Sequence, residues 1–323
     1  MSIAPVKRKL LSKPSRVEDK IFFAVSKAAG YSSFVIIGMI LVFLSIRAWP
    51  AFESQGILDF TFGTFWDNSL NPPVFHIGPM VWGSLLIATI AVTIAVPMAI
   101  SIAYFIEFLA PKTIAKIATV IVDLLAAIPS VVIGLWGLGI FSPVGAGWAQ
   151  MLSESLSGIF PFLSNSAGTF LRSPFIAGVV LAVMIVPLIS SVTREMFSQI
   201  DGELIKGALA LGATRESVLR RVILPTSAGG ILGGVLLALG RAMGETVAIF
   251  FVLNLTYDRY NFFNIFEPVG GNIASLILAK FGEAAQIEVE ALLAAGVVLF
   301  IITLIINALA SYIVQKAQPW RKD

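Results

Sequence analysis

The sequence predicts an all-α integral membrane protein with about six transmembrane helices and both termini in the cytoplasm. Three observations carry this. Apolar runs of membrane-crossing length recur six times along 323 residues. Charged residues make up 13% of the chain, where a soluble domain carries about 25%. Lysine and arginine alternate in density from one connection to the next.

A helix needs about 20 apolar residues to cross a hydrocarbon core of about 30 Å. Residues 28–48, 78–107, 173–193 and 291–315 supply such runs almost without charge. Residues 117–141 qualify with Asp123 inside them, and 226–255 with Arg241 and Glu245. The chain then divides into a tail (1–27), a transmembrane domain (28–316) with a long connection at 194–225, and a second tail (317–323). The tail, the connection at 112–116, the 194–225 connection and the C-terminus hold seventeen lysines and arginines, whereas the alternate connections hold Arg47, Arg172, Arg259 and Lys280. That asymmetry sets the expected orientation. The first apolar run is too long for a signal-peptide h-region and reads as an uncleaved anchor, with Ile21–Lys27 as an interfacial stretch before it. Pro97, Pro129 and Pro187 punctuate three spans, as structural kinks in a bundle. The outward connections 49–77, 143–172 and 256–288 are long enough for a docking surface and equally readable as plain loops.

Composition excludes much chemistry. There is no cysteine and one histidine, His76, so disulfides, thiolate chemistry, zinc clusters and Cys/His or Ser/His/Asp catalysis are excluded or nearly so. A net charge of +3 gives no argument for nucleic acid. No glycine is followed by Lys-Ser or Lys-Thr, so the chain lacks the phosphate-cradling loop of an ATPase.

The 194–225 connection is the most informative soluble segment. Asp201 to Leu211 reads as a short helix ended by Gly212, Thr214 as the N-cap of a second, and Pro225 as its close. A glycine-centred pair of helices also suits DNA binding, but both ends here are tied to membrane spans. A neutral intracellular loop is the plainer alternative.

Charges inside the membrane are functional candidates because each costs about 2.5–3.5 kcal/mol to insert. Arg241 and Glu245 are four apart and can pair on one helical face, with Asp123 as an additional partner. One reading is an ion-pair knot that locks the bundle. The other is an anion pathway, in which the guanidinium fork meets a tetrahedral oxyanion and Glu245 keeps binding reversible. Gly230, Gly234, Gly240 and Gly244 on the same helix suit close helix packing against a partner subunit.

Lys206-Gly207-Ala208, then Gly212, then Val222-x-Leu224-Pro225 resembles the EAA loop of ABC importer permeases, written Glu-Ala-Ala, three residues, Gly, nine residues, Ile-x-Leu-Pro. Lys206 reverses the charge at the glutamate position, and Glu203, one turn earlier, is read as taking a related role. The stretches Asp123–Gly137 (DLLAAIPSVVIGLWG) and Gly240–Ala248 (GRAMGETVA) resemble the signatures of the PstC-type permease family of phosphate ABC importers. The resemblance implies a type I importer permease fold and a cell-membrane location. It implies that Arg241, Glu245 and Asp123 line the substrate path. Glu203, Lys206, Gly207, Ala208, Gly212, Leu224 and Pro225 would couple to the ATPase. The partners it implies are a second, PstA-like permease, two PstB-like ATPase subunits that hold ATP and Mg, and an external PstS-like phosphate-binding protein. The chain itself would need no cofactor and be no enzyme. A permease for another oxyanion, sulfate or molybdate, is the second reading, and an ion-coupled carrier the third.

Overall fold

The structure is a computed structural model that describes residues 17–317. The tail charges Lys7, Arg8, Lys9, Lys13, Arg16, Arg321 and Lys322 lie outside the described residues. The chain begins with α1 (Val17–Gln55) and a short α2 (Ile57–Phe62), then an antiparallel hairpin of β1 (Trp66–Asp67) and β2 (Val74–Phe75) that pairs Trp66 with Phe75. α3 (Gly78–Tyr104) leads through a π-turn, Phe105–Leu109, to α4 (Lys112–Ala126). α5 (Ser130–Trp136) continues through a second π-turn, Gly137–Phe141, into α6 (Ser142–Leu156). α7 (Pro174–Ser198) is followed by α8 (Gly202–Ala210) and α9 (Arg215–Val218); a third π-turn, Leu219–Ile223, joins α9 to α10 (Leu224–Met243). α11 (Val247–Val252), α12 (Ile273–Phe281) and α13 (Gln286–Ala317) complete the chain. Among the described residues six helical stretches are long and apolar enough to cross a membrane: Lys20–Gln55, Gly78–Leu109, Ser130–Leu156, Pro174–Ser198, Arg215–Met243 and Gln286–Tyr312.

Two of these differ from the runs read in the sequence. The stretch 117–141 is broken: α4 stops at Ala126 and α5 starts at Ser130. Pro129 has no N–H to continue the ladder and disfavours the helical region for the residue before it, Ile128. The crossing helix therefore begins after the proline and runs on to Leu156, through much of what read as a connection. The stretch 226–255 is interrupted at Gly244–Thr246, and its helix reaches back to Arg215. Ile21–Lys27 is not a separate piece but part of α1.

The three π-turns share a setting. Each ends two residues before a proline: Pro111, Pro143 and Pro225. A proline in a helix cannot donate to the carbonyl four residues back and clashes with it. Here the residue just before the proline donates five residues back instead, Ala110 to Phe105, Ser142 to Gly137 and Leu224 to Leu219. At Pro143 and Pro225 the helix continues and the widened turn makes room for the ring, whereas at Ala110 and Pro111 the chain turns extended and the helix ends. Pro225 thus does not close the 194–225 connection, because the helix passes through it.

The centre of the bundle is a seam of small residues. Ala88, Ala91, Ala95, Ala99 and Ala103 recur at helical spacing on α3, each at most 2% exposed, and α3 packs along α7. A Cβ on Gly178 of α7 would fall 2.4 Å from Ile90 Cγ2. In lipid, apolar side chains gain little by leaving the solvent, so dispersion between closely approaching backbones holds such helices together.

The two ends of the bundle are built differently. At one end Phe197 and Val218, both buried, and Ile223 form a cluster under α8, whose Ile205 and Ala208 lean on it. At the opposite end polar networks organise the connections. Glu288, 2% exposed, accepts from Trp66 Nε1 at 2.8 Å and Asn68 Nδ2 at 3.0 Å, pinning the hairpin to the start of α13. Each such bond to a carboxylate contributes about 1.5–3 kcal/mol. Glu267 accepts from Ser166 Oγ and Asn264 Nδ2, which ties the 157–173 segment to the 254–272 segment. These connections are organised structure, not plain loops. On the hairpin, Ser69 donates from its hydroxyl and its backbone N–H to Asp67, and holds that carboxyl below the usual carboxylate range.

Candidate translocation site and coupling face

Arg241 stands in the last turn of α10. The helix stops two residues later, and side chains from α12 keep it stopped. Asn272 Nδ2 donates to the Glu245 carbonyl at 2.9 Å, and Ser275 Oγ to the Thr246 carbonyl at 3.2 Å. Glu245 Oε1 accepts from the Ala248 N–H at 3.3 Å, at the start of α11. A break at membrane depth survives only where such partners satisfy the freed backbone groups. Asn272 also caps α12 by accepting from Ser275 N at 2.8 Å, so one asparagine joins two helix ends.

This geometry separates the expected pair. Glu245 lies in the break, 8% exposed, with its carboxylate turned to α11. The four-residue pairing with Arg241 needs an unbroken helix and is not made; among the described residues Arg241 forms no ion pair within 4.0 Å. Arg241 instead shares an exposed face of α10 with Gly233, Leu237 and Gly244. Among the described residues nothing approaches within 4 Å of the place a Gly233 Cβ would take, while Ile231, Ala238 and Ala242 on the opposite face are buried. Asp123 is not brought to either residue. It faces Arg194 of α7, with Nη2 and Oδ1 3.9 Å apart.

The glycines of α10 divide by face. A Cβ on Gly230 would fall 2.0 Å from Met196 Sδ, and one on Gly234 2.9 Å from Val192 Cγ1. Their close approach is therefore to α7 of the same chain, not to a partner subunit. Gly240 faces Asn307 at 3.6 Å, and Gly244 meets only its own helix.

In the 194–225 connection, Asp201 caps α8 by accepting from Glu203 N at 2.9 Å. Gly212 takes φ +82°, a left-handed turn that favours glycine, and Thr214 caps α9 by accepting from Ser217 N at 3.2 Å. Lys206 and Glu203 pair with each other at 2.9 Å on the exposed side of α8. Gly207 is exposed beside them, and Leu204, Leu209 and Leu211 present an apolar surface, Leu211 being 91% exposed. Leu224 and Pro225 lie in the first turn of α10, above this face.

Sequence reasoning missed three residues that the geometry makes central. Arg194 counted as a loop charge but belongs to the last turns of α7. Asn272 carried no motif. Gly134 of α5 lies within the Asp123–Gly137 stretch but carried no role of its own, yet a Cβ there would fall 2.7 Å from Ala248 Cα.

The fold is that of an ABC transporter permease subunit. A solved bacterial alginate ABC transporter superposes with a TM-score of 0.60 at 18% identity, over 94% of this chain and 98% of that one. The MetNI methionine ABC transporter in an inward facing conformation gives 0.51 at 16% identity, over 75% and 94%. Residues 95–319 match the family described as binding-protein-dependent transport system inner membrane component, and the chain belongs to it. Among its relatives, the phosphate transport system permease protein PstC of Haemophilus influenzae is 37% identical over 88% of this chain and 89% of its own length. The PstC of Mesorhizobium japonicum is 35% identical over 92% and 90%. A probable PstC of Methanocaldococcus jannaschii is 34% identical over 93% and 94%. The chain is a multi-pass membrane transport component, not itself an enzyme.

Proposed function

We propose that this chain is the PstC-type permease subunit of an importer for inorganic phosphate. The observation that carries the cargo is the identity of 34–37% to phosphate permease proteins along nearly the whole chain. A second, PstA-like permease closes the path against the exposed face of α10. Two PstB-like subunits bind ATP and Mg and dock on α8, with Gly207 and the exposed leucines at the contact and the Glu203–Lys206 pair at its rim. A PstS-like protein delivers phosphate to the opposite end, where the organised connections lie. The α8 end and both termini face the cytoplasm.

Arg241 suits the path because its guanidinium stands on the open face and its donors are uncommitted among the described residues. Glu245 acts differently from the expected partner. Its carboxylate holds the start of α11 and leaves Arg241 positive toward the path. A phosphate arriving from outside would exchange water for the guanidinium fork. Closure of the ATPases would move α8, reorient the spans and release the anion inward.

The test is uptake of labelled phosphate in phosphate-starved cells lacking their own high-affinity permease, supplied with this chain and its neighbouring subunits. Energy-dependent uptake that survives excess sulfate and falls at least about tenfold in Arg241→Gln, the loss of one charge-assisted contact of about 1.5–3 kcal/mol, is expected. Competition by sulfate would move the cargo to another oxyanion, and uptake unchanged without the chain would sink the assignment.

A further inference from the structure

Asp123 of α4 faces Arg194 of α7 and pairs with neither Arg241 nor Glu245 among the described residues. The ion pair joins two elements that the rest of the structure connects to different events. Arg194 stands one turn before Phe197, a buried residue of α7 that packs in the cluster supporting Ile205 and Ala208 of α8. Only Gln199, Ile200 and Asp201 separate α7 from α8. Asp123 stands in the last turn of α4, ahead of the break at Ala127–Pro129. Beyond that break, Gly134 of α5 meets the backbone of Ala248, the residue whose N–H donates to Glu245.

The pair is also incompletely made. Its nearest atoms are 3.9 Å apart, with the Arg194 side chain 24% and the Asp123 side chain 54% exposed. Arg194 Nη1 is buried and has no hydrogen-bond partner among the described residues. A buried donor left unpaired costs about 1–3 kcal/mol, and a shift of about 1 Å would bring guanidinium and carboxylate to charge-assisted bonding distance. An arrangement that is unsatisfied here and satisfied by a small displacement has two states that differ in energy, as a switch element requires.

We infer that Asp123 and Arg194 form a clasp that passes movement of α8 through α7 to α4, and through the proline break to α5, α11 and the Arg241–Glu245 region. In the conformation described the clasp is open; it closes when the ATPases engage. Both are positioning residues, acting on the path through other groups. The inference rests on reading α8 as the ATPase-docking helix, but not on phosphate as the cargo.

Two measurements test it. The first uses the assembled transporter in proteoliposomes and reads ATP hydrolysis and substrate uptake separately. Asp123→Asn and Arg194→Gln should each lower uptake per ATP hydrolysed by about fivefold or more, within the usual range of coupling energies. The exchanged pair D123R/R194D should recover most of that loss. A ratio unchanged in the single variants, or an exchange no better than either, would overturn the clasp. The second does not depend on cargo. The chain has no cysteine, so D123C/R194C places a unique pair in it. Cross-linking yield within this chain with a short bis-methanethiosulfonate, which restores the reach lost with the arginine side chain, in membranes holding the whole complex, should rise on vanadate trapping of ATP. Equal yields with and without trapping would overturn the proposal. Absent phosphate uptake with a nucleotide-dependent yield would instead remove only the cargo assignment.

Discussion

Two spans of this protein are broken, and the breaks differ in kind. The one at Ala127–Pro129 has a local contribution, a proline with no N–H to continue the ladder, although Pro97 and Pro187 sit inside continuous helices. The one at Gly244–Thr246 is imposed from a distance, by Asn272 and Ser275 of α12, which capture the carbonyls that a continuous helix would have used. The second exists only in the folded protein. The two breaks meet where Gly134 lies against Ala248, so the proline break borders the one that presents Arg241. A proline sets one wall of the site, and tertiary contacts set the other.

The strongest way to break this comparison is Gly134→Val. Its Cβ would lie 2.7 Å from a backbone atom of Ala248, which cannot give way as a side-chain end would. We expect a loss of about 3 kcal/mol, read as a several-degree fall in the melting temperature of the purified complex, together with loss of uptake. An unchanged melting temperature would mean that the two breaks do not touch. Asn272→Ala comes next, because it strips the Glu245 carbonyl of its donor and α12 of its cap. A loss of about 1–3 kcal/mol is expected. Asn272→Asp sharpens the point: it keeps the cap but turns a buried carboxylate oxygen onto the Glu245 carbonyl, and should cost at least as much as alanine. The smallest effect is expected of Gly244→Ala, where the nearest atom to the new Cβ is an ordinary 3.6 Å away. Its stability should stay within about 0.5 kcal/mol of wild type. Normal melting with abolished uptake would show that this glycine makes room for something outside the chain, such as a helix of the second permease.

What could be read in advance follows the same division. The six crossings were legible because apolar length is a property of each segment alone, and α8 with its Gly212 turn was legible because caps are local. The proline break at 129 was visible as a kink, though not as a full stop. The interruption at 244 was not legible: Gly240 and Gly244 read as packing residues, and nothing near Arg241 and Glu245 announces Asn272, which lies 27 residues beyond Glu245. That is why the pairing expected of Arg241 and Glu245 does not form. Arg194 was hidden for a related reason. It sits where a charge tally ends a span, and only the approach of α4 shows that it has a partner. Exposure divides the apolar helices as well. Of α7's most apolar stretch 67% is buried and of α1's none, although both read simply as spans.

The π-turn before Pro225 has a geometric consequence for the path. Each such turn carries one residue more than an α-helical turn, and one residue is about 100° of rotation about the helix axis. Everything beyond Ile223 is therefore turned by that angle relative to an uninterrupted helix from Arg215. With the extra residue, Val218 points into the cluster under α8 while Arg241 points onto the open face of α10. Without it, the same sequence would aim one of the two elsewhere. The proline and its widened turn thus set the azimuth of the arginine relative to the helix that receives the motion.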